Sequence, residues 1–343
     1  MKPWLHIPPQ LAHDLSPLAL KIYSLFNNGP TPAWNSLSWN GLVFKNRLGL
    51  AGGVDKNGEL LNVWNGIGCG FVEIGTVTPE HQKSNPGKIL DRSLEDEALW
   101  NKMGFPSIGA SEVFYNLKNF KEHSQLPVFV NIGKNRTTDN DQAYIDYVSL
   151  LERFYQVADA FVVNISSPNT SGLRELAKPE NLNRFLRPLL KARTALSSEL
   201  NEIGVPILKH KEKPILLKLS PDLEADDLKR IIDTSVENKL DGFVLTNTTL
   251  SRNLKKPFPA EGGVSGKPLA ELSKKALRTL TSHLNQEKSK KLVISVGGVM
   301  TADDVFERIE LGADLVEIYT ALIFKGPGFF REVAGQFNGK QKS

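Results

Sequence analysis

Eight short apolar runs divide the chain from about residue 45 onward. Within each run the apolar residues are nearly continuous rather than alternating with polar ones, which is typical of strands buried on both faces. The pattern therefore predicts eight buried strands, at Leu48–Ala51, Phe71–Ile74, Val128–Ile132, Ala160–Ile165, Ile215–Leu219, Gly242–Leu245, Leu292–Val296 and Leu315–Ile318.

Segments with helical signals lie between most of these strands. Eight buried strands separated by helices over roughly 250 to 300 residues predict an α/β fold, a parallel (β/α)8 barrel. An open doubly wound sheet would place a Gly-x-Gly-x-x-Gly turn after its first strand, and Gly52–Lys56 does not match that turn. The predicted helices include Tyr144–Tyr155, Asn181–Leu200, Glu224–Asn238, Leu269–Leu284 and Ala302–Glu310.

The first 40 residues have a different pattern. Apolar residues at positions 11, 15, 18, 22 and 25 follow helical spacing, so one face is apolar. Ser16 before Pro17 has the form of a helix start, which predicts two short helices rather than one. The pattern alone favours packing of this face on the main domain over a membrane surface, because interfacial helices usually carry more Lys and Arg.

These patterns divide the chain into an N-terminal helical extension (1–40), a barrel (41–338) and a solvated tail (339–343). The net charge of +4 on 343 residues is small, and no dense basic patch suggests nucleic acid as a partner. The single cysteine, Cys69, excludes an internal disulfide and a cysteine-based metal cage. Because Cys69 enters an apolar run, we expect a small buried hydrophobe rather than a nucleophile.

Chemistry-bearing residues gather at the ends of the predicted strands, where barrels place their functional groups. They are amides, hydroxyls and lysines, with no histidine and with Asp55 as the one acid. A metal hydrolase, which needs His, Asp and Glu ligands, is therefore disfavoured, and we expect no metal. Asparagines suit a planar ligand with donors and acceptors, and lysines suit an anion. Gly297-Gly298, Tyr319-Thr320 and Gly262–Gly266 lie where many barrels bind phosphate.

Several segments together resemble the dihydroorotate dehydrogenases. The resemblance covers nearly the whole chain in order, including the apolar N-terminal extension. It rests on Gly75–Pro79, Asn101–Phe105, Asn131–Asn135, Asn164–Thr170, Thr246–Thr249, Gly262–Gly266 and Ile323–Pro327.

Within that family the soluble classes generally use a cysteine base, whereas the quinone-linked class uses serine. Ser167 stands at the matching position here, so the chain looks like the quinone-linked class. The resemblance implies bound FMN, oxidation of dihydroorotate to orotate in pyrimidine synthesis, and electron transfer to a membrane quinone. It also implies that the N-terminal helices rest on the membrane and shape the quinone access, which reverses the expectation from the pattern alone.

The resemblance assigns roles residue by residue, with Ser167 as the catalytic base. Substrate-binding residues would be Lys56, Asn101, Lys102, Met103, Gly104, Phe105, Asn164, Asn169, Asn247 and Thr248. Cofactor-binding residues would be Gly52, Gly53, Val54, Asp55, Lys56, Thr76, Asn131, Asn164, Lys218, Thr246, Gly266, Gly298, Tyr319 and Thr320. Residues of the quinone site would be His13, Arg92 and Tyr319.

One position departs from the family pattern, and two basic sites are expected to have no direct role in the chemistry. Ser171 stands where proline is expected in the loop that bears Ser167, which would loosen that loop. We expect Lys134 to face solvent or to lie just behind the site. The segment Lys209–Lys213 is unusually basic and is expected to be an exposed connection.

Three alternatives stay open. A soluble flavin enzyme acting on dihydropyrimidines would need another electron acceptor. A non-redox barrel isomerase or lyase would bind a phosphorylated substrate and be colourless. A membrane-surface binding module would have lost part of the site, which Ser167, Lys56 and Lys218 argue against. The sequence has neither a secretory signal nor an organellar presequence, so we expect peripheral contact with the cytoplasmic face of the cell membrane. We also expect a monomer.

Overall fold

The computed structural model describes residues 2–202, 212–287 and 291–340. Its strands are β1 Leu37–Trp39, β2 Leu42–Phe44, β3 Leu48–Leu50, β4 Val72–Val77, β5 Leu90–Ser93, β6 Ala98–Asn101, β7 Val128–Ile132, β8 Ala160–Asn164, β9 Ile215–Leu219, β10 Gly242–Leu245, β11 Gly263–Gly266, β12 Leu292–Val296 and β13 Leu315–Ile318. Its α-helices are α1 Pro9–Asn27, α2 Leu61–Ile67, α3 Ala110–Lys121, α4 Ala143–Phe154, α5 Pro179–Glu202, α6 Ala225–Glu237, α7 Ala270–Glu287, α8 Ala302–Glu310, α9 Thr320–Lys325 and α10 Phe329–Lys340. Short 3-10 helices occur at Pro3–Leu5, Asn140–Gln142, Leu173–Ala177 and Lys267–Leu269.

Eight parallel strands close into a barrel in the order β3-β4-β7-β8-β9-β10-β12-β13. These are the eight apolar runs of the sequence, so the predicted (β/α)8 barrel is confirmed. Outward-facing residues of the strands pack on the surrounding helices in one large core that includes Trp64. Cys69 is fully buried in that core, as expected for a small hydrophobe.

Inside the barrel, side chains form two levels. The lower level is apolar and includes Phe71, Phe129, Leu216 and Leu315. Phe44, from the β1-β2 hairpin, plugs this end, with its ring centroid 5.8 Å from Phe71 and 6.1 Å from Phe129. One step of the period-two strand pattern further along, the inward residues become polar. The strand register therefore separates a dry core below from a polar cavity above.

A three-stranded antiparallel sheet covers part of the upper end of the barrel. It pairs β5 with β6 and β6 with β11, although β11 follows β6 by more than 150 residues in the chain. Gly263 pairs with Asn101 and Gly266 with Ala98 in this sheet. The pairing brings residues of β6 and β11 to the wall of the cavity at the mouth of the barrel. The eight-strand pattern did not predict it.

The N-terminal region is one continuous helix, α1, preceded by a 3-10 turn, so the prediction of two short helices is wrong. Pro17 lies inside α1, where it lacks the N–H that would donate to the His13 carbonyl. The Ser16 hydroxyl donates to that carbonyl instead, at 2.8 Å. Ser16 thus supplies the hydrogen bond that Pro17 cannot make, and α1 continues through this point instead of ending.

One face of α1 is exposed. Leu20 and Tyr23 rest against the main core, but no residue of the helix is fully buried. The interpretation from pattern alone, that the apolar face packs on the barrel, is therefore wrong. Exposed apolar side chains on this face are Leu11, Leu15, Leu18, Ile22, Leu25 and Phe26, the last two being 76% and 83% exposed. Among the described residues, no helix is both long and apolar enough to cross a bilayer.

Two further expectations concern the C-terminal tail and the basic segment before β9. The tail begins later than predicted, because α10 continues through Gly339 to Lys340. The basic segment Lys209–Lys213 lies mostly outside the described residues, which resume at Glu212.

Candidate active site

A cavity opens where the carboxyl ends of the barrel strands meet the β5-β6-β11 sheet. Most residues that the sequence singled out line it together, although they are spread over 270 positions of the chain. The predicted residues in its wall are Gly52, Gly53, Lys56, Thr76, Asn101, Met103, Gly104, Phe105, Asn131, Asn164, Ser167, Asn169, Lys218, Thr246, Asn247, Thr248, Gly266, Gly298, Tyr319 and Thr320.

A chain of side-chain amides and hydroxyls crosses the cavity floor. Thr76 Oγ1 donates to Asn131 Oδ1 at 2.6 Å, and Asn164 Nδ2 donates to Thr76 Oγ1 at 2.9 Å. Asn247 Nδ2 continues the chain to Asn164 Oδ1 at 3.3 Å and to Ser166 Oγ at 3.1 Å. Each group fixes the orientation of the next one. The network therefore presents a rigid set of donors and acceptors, as a planar polar ligand requires.

A buried ion pair lies beneath this network. Lys218 Nζ is 2.6 Å from Glu73 Oε1, and that oxygen also accepts from Asn131 Nδ2 at 2.7 Å. Both charged residues point into the barrel, where they are shielded from water. Lys218 thus keeps its positive charge next to the cavity, where it can stabilise negative charge on a ligand.

Two acids that were not predicted, Glu73 and Glu317, lie at the site. The expectation that Asp55 is the one acid at the strand ends is therefore wrong, because both glutamates project inward from strands, and Glu317 lines the cavity. The signal was present: each is a charged residue within an otherwise apolar strand run. Ser265, Leu269, Val296 and Val299 also line the cavity without having been predicted.

Ser167 follows β8 in a buried loop. Its Oγ accepts a hydrogen bond from the Asn169 backbone N–H at 3.2 Å, and Asn169 Nδ2 donates to Asn101 Oδ1 at 3.0 Å. Arg174 holds the loop, because its Nε donates to the Ser166 carbonyl at 3.0 Å. Within the described parts of the chain, no carboxylate or imidazole is hydrogen-bonded to Ser167. Its hydroxyl therefore faces the cavity without a resident base.

Lys56 supplies a second cation at the cavity wall. Its ammonium makes no hydrogen bond to any described residue, so it is free to bind a ligand anion. Burial lowers the pKa of Lys56 to about 8, and the carboxylate of Asp55 partly opposes that shift. A bound carboxylate would pair with this group and keep it charged.

A cradle of backbone at the other end of the cavity suits a phosphate. Gly298 has φ of +71°, and a Cβ there would lie 2.3 Å from Ala270 Cα, so only glycine lets the turn approach α7. Arg308 donates from behind to the Gly297 and Ala270 carbonyls, at 2.9 and 3.2 Å. The arrangement offers backbone N–H groups and a buried cation to an anion.

A flat ring would fit against the opposite wall. A Cβ at Gly52 would lie 2.0 Å from Glu73 Oε1, so only glycine lets this part of the cavity wall lie against the carboxylate of the ion pair. Thr246 Oγ1 is buried and has no partner among the described residues. A ligand acceptor or donor at that position would satisfy it. The residues present therefore fit a planar, phosphorylated group such as a flavin nucleotide.

Some predicted residues do not line the cavity. Asp55 turns away and accepts from the Glu59 and Leu60 N–H groups and from Trp64 Nε1, each at 3.0 Å, so it holds the loop. Lys102 pairs with Glu261 at the surface. Val54 packs against the core.

Lys134 does not face solvent. It is buried, and its ammonium donates to the Thr138 carbonyl at 2.6 Å. Of the two positions expected for Lys134, the solvent-facing one is wrong, and the one just behind the site is compatible with this burial. Ser171 is exposed, and the backbone beside it turns through Gly172 with φ of +63° into the 3-10 helix at Leu173–Ala177.

The three residues predicted for a quinone site lie in different elements: His13 in α1, Arg92 in β5 and Tyr319 in the cavity wall. Arg92 donates to the Leu5 and Ile7 carbonyls, both at 2.7 Å, so it fastens the N-terminal segment. Burial lowers the pKa of His13 to about 4, and the positive charge of Lys56 adds to this shift. Tyr319 lines the cavity and lies close to Gly53. The quinone role of these residues stays a prediction.

Comparison with known proteins agrees with the geometry. The family model described as Dihydroorotate dehydrogenase matches residues 36–340. A protein named dihydroorotate dehydrogenase (quinone) from Christiangramia forsetii is 42% identical over 85% of this chain and 81% of its own. One with the same name from Teredinibacter turnerae is 37% identical over 96% of this chain and 95% of its own.

Solved structures agree as well. The crystal structure of DHODH from Eimeria tenella in complex with ferulenol has a TM-score of 0.82 and 34% identity, covering 95% of this chain and 90% of that one. A ligand-free structure from the same organism also has a TM-score of 0.82, at 32% identity. Since the family model and these relatives extend over most of the chain, this protein belongs to the dihydroorotate dehydrogenase family.

Proposed function

We propose that this protein oxidises dihydroorotate to orotate, a step of pyrimidine synthesis, with FMN as cofactor and a membrane quinone as electron acceptor. One observation carries the proposal: the cavity brings together a buried serine, two lysines and a network of asparagines at the carboxyl ends of the strands. The family and the names of the relatives support the same reaction.

The substrate would lie between Ser167 and Lys56. Lys56 has no hydrogen-bond partner among the residues that the structure describes, and it would pair with the substrate carboxylate. Asn101, Asn169 and Asn247 would hold the pyrimidine ring, because each side-chain amide offers one donor and one acceptor. Met103 and Phe105 would cover the ring and exclude water.

Ser167 would accept the proton that leaves C5 of the substrate. A free serine hydroxyl is a weak base, so its proton must pass on to another group as it takes the new one. The backbone N–H of Asn169 holds the Ser167 oxygen in place through a 3.2 Å hydrogen bond. Ser167 and Lys56 both line the cavity, so one substrate can contact both.

FMN would occupy the rest of the cavity, with its phosphate at the Gly266 and Gly298 turns and its ring above Lys218. When bound, it supplies the hydride acceptor for C6 of the substrate. Thr76, Asn131 and Thr246 would hold the ring edge by hydrogen bonds. Lys218 would stabilise negative charge that collects on the ring, because its own charge is fixed by Glu73 at 2.6 Å.

The quinone and the membrane would meet the protein at α1. The exposed apolar face from Leu11 to Phe26 is what a lipid surface would cover, and it belongs to a helix that rests on β5 and α2. His13 belongs to the same helix and is near enough to Lys56 to feel its charge, and Tyr319 lines the cavity. The protein would therefore sit peripherally on the cytoplasmic face of the cell membrane, with its quinone reached from below α1.

The visible spectrum of the purified protein tests this proposal. Flavin absorbance should bleach with dihydroorotate in the absence of oxygen and return when a short-chain ubiquinone is added. Recovery only with fumarate or NAD would contradict the quinone part of the proposal. A colourless protein that FMN does not reconstitute would overturn the flavoenzyme assignment.

A further inference from the structure

Three ionisable side chains meet in the upper half of the barrel, at the floor of the cavity. Glu73, Lys218 and Glu317 project inward from β4, β9 and β13, and their exposed fractions are 0%, 5% and 0%. Fully ionised, the cluster would hold two negative charges and one positive charge away from water. Unpaired buried charge is strongly unfavourable, so one of the carboxylates must be neutralised.

The hydrogen bonds of the cluster are unequal. Glu73 Oε1 accepts from Lys218 Nζ at 2.6 Å and from Asn131 Nδ2 at 2.7 Å. Glu73 Oε2 and both oxygens of Glu317 have no partner within the described parts of the chain. Buried polar atoms nearly always have a partner. One proton on Glu317, donated to Glu73 Oε2, would give two of these three oxygens a partner.

We infer that Glu73 and Glu317 share one proton, which holds Glu317 as a neutral carboxylic acid in the floor of the cofactor cavity. A protonated carboxyl group has an O–H donor, and the free Glu73 Oε2 is an acceptor. Glu73 is the member that stays ionised, because it already receives the Lys218 ammonium. The cluster then has one negative and one positive charge and is neutral.

The surroundings of Glu317 agree with this protonation. Burial and the nearby charge of Glu73 raise the pKa of Glu317 well above its usual range, against the opposing charge of Lys218. Glu73 and Lys218 are the charged residues of the barrel strands that shift the pKa of Glu317. The Cys69 thiol is also near, but burial raises its pKa, so it stays neutral.

The shared proton would matter for the reaction, and this consequence rests on the proposed flavin site. Reduction of a bound flavin adds negative charge above Lys218, and a second ionised carboxylate below would repel that charge. Glu317 therefore acts as a positioning residue, through Glu73 and Lys218, that keeps the floor neutral. When the proton leaves at alkaline pH, the reduction potential of the bound cofactor should fall.

Infrared spectroscopy of the holoenzyme tests the proton directly. We expect a carbonyl stretch of a buried protonated carboxylic acid that shifts in D2O and is absent from Glu317→Gln. It should also be absent from Glu73→Gln, because Lys218 would then pair with Glu317 and ionise it. The exposed Glu310→Gln is the control and should keep the band. A wild-type spectrum without this band, or a band that survives Glu317→Gln, would overturn the inference.

The reduction potential of the bound flavin gives a second measurement. Glutamine carries no charge, so Glu317→Gln should leave the potential unchanged at neutral pH and make it less dependent on pH at alkaline values. A rise at neutral pH would show that a fixed negative charge had been removed, and that Glu317 is ionised. If Glu317→Gln does not fold, the band in wild type and its loss in Glu73→Gln still decide the question. A protein that dihydroorotate does not bleach would refute the proposed function, but the infrared result would stand by itself.

Discussion

The cavity floor and helix α1 both depart from the usual distribution of polar and apolar side chains, in opposite directions. In the floor, charged and polar side chains such as Glu73, Lys218 and Asn131 are buried where hydrophobic residues are expected. In α1, large apolar side chains such as Leu25 and Phe26 are exposed where polar residues are expected. Neither arrangement favours the stability of the isolated chain. The comparison teaches that both regions are shaped for partners that the chain alone does not contain.

The two regions differ in how firmly the protein holds them. Several polar groups of the floor are held by hydrogen bonds between strands; Asn131, for example, bonds to Glu73, Thr76 and Asn164. By contrast, α1 rests on the barrel through Leu20 and Tyr23 and through the anchoring of its N-terminal end by Arg92. Substitutions in the floor should therefore affect chemistry and folding together. Substitutions on the outer face of α1 should affect only encounters with a partner.

The largest effect should come from Ser167→Ala. Loss of the group that accepts the substrate proton should slow flavin bleaching by dihydroorotate by about 10²–10⁴-fold. Rapid mixing under anaerobic conditions measures this step alone. Ser166→Ala is the matched control, because Ser166 is a neighbouring buried hydroxyl that bonds to Asn164 and Asn247. Equal rates for both variants would contradict the role of Ser167.

The next effect tests the polar floor. Lys218→Met leaves Glu73 buried without its counter-ion and should lower the free energy of unfolding by about 3–5 kcal/mol. Adding Glu73→Gln should restore part of this loss, because the unpaired charge is then removed. Urea unfolding of the single and double variants measures both effects. A double variant that is less stable than the Lys218→Met single variant would show that the charge is not the cause.

The sequence predicted the barrel well for a physical reason. Strands buried on both faces need continuous apolar runs, and each of the eight runs became a barrel strand. Prediction failed where the outcome depends on contacts distant in sequence. The β6-β11 pairing joins Ala98 to Gly266, and no local pattern encodes it. Pro17 led to the wrong prediction of a helix break. The Ser16 hydroxyl donates to the His13 carbonyl in place of the N–H that Pro17 lacks, and this depends on the rotamer of one side chain.

The candidate site was predicted mostly by resemblance rather than by pattern. Local rules allow many roles for an asparagine, and only the structure shows that Asn101, Asn164 and Asn247 line one cavity. Glu73 and Glu317 were not predicted because each stands within an apolar run, and the run was interpreted only as a buried strand. A charged residue inside a predicted buried strand is itself the signal of a functional group.

The exposed face of α1 can be tested without disturbing the barrel. Leu18→Ser with Leu25→Ser should weaken binding to phospholipid vesicles and lower turnover with a long-tailed quinone several-fold, because apolar contact area is lost. Bleaching by dihydroorotate and thermal stability should stay unchanged, since both side chains are exposed. Leu250→Ser, an exposed leucine on the barrel, is the control. Unchanged vesicle binding and unchanged quinone turnover would argue that this face has another partner.

The smallest effect should be a dependence of the folding stability on pH that arises from His13 in α1. The pKa of His13 is lowered to about 4 in the folded protein, by burial first and by the charge of Lys56 second. The unfolded chain therefore binds more protons than the folded one as pH falls from about 6.5 towards 4, and stability is lost over that range. Chemical denaturation at pH 7 and pH 5 should show a smaller loss for His13→Gln than for wild type. His123→Gln, at an exposed position, should behave like wild type. An equal loss of stability in all three proteins would mean that His13 is not buried enough to resist protonation.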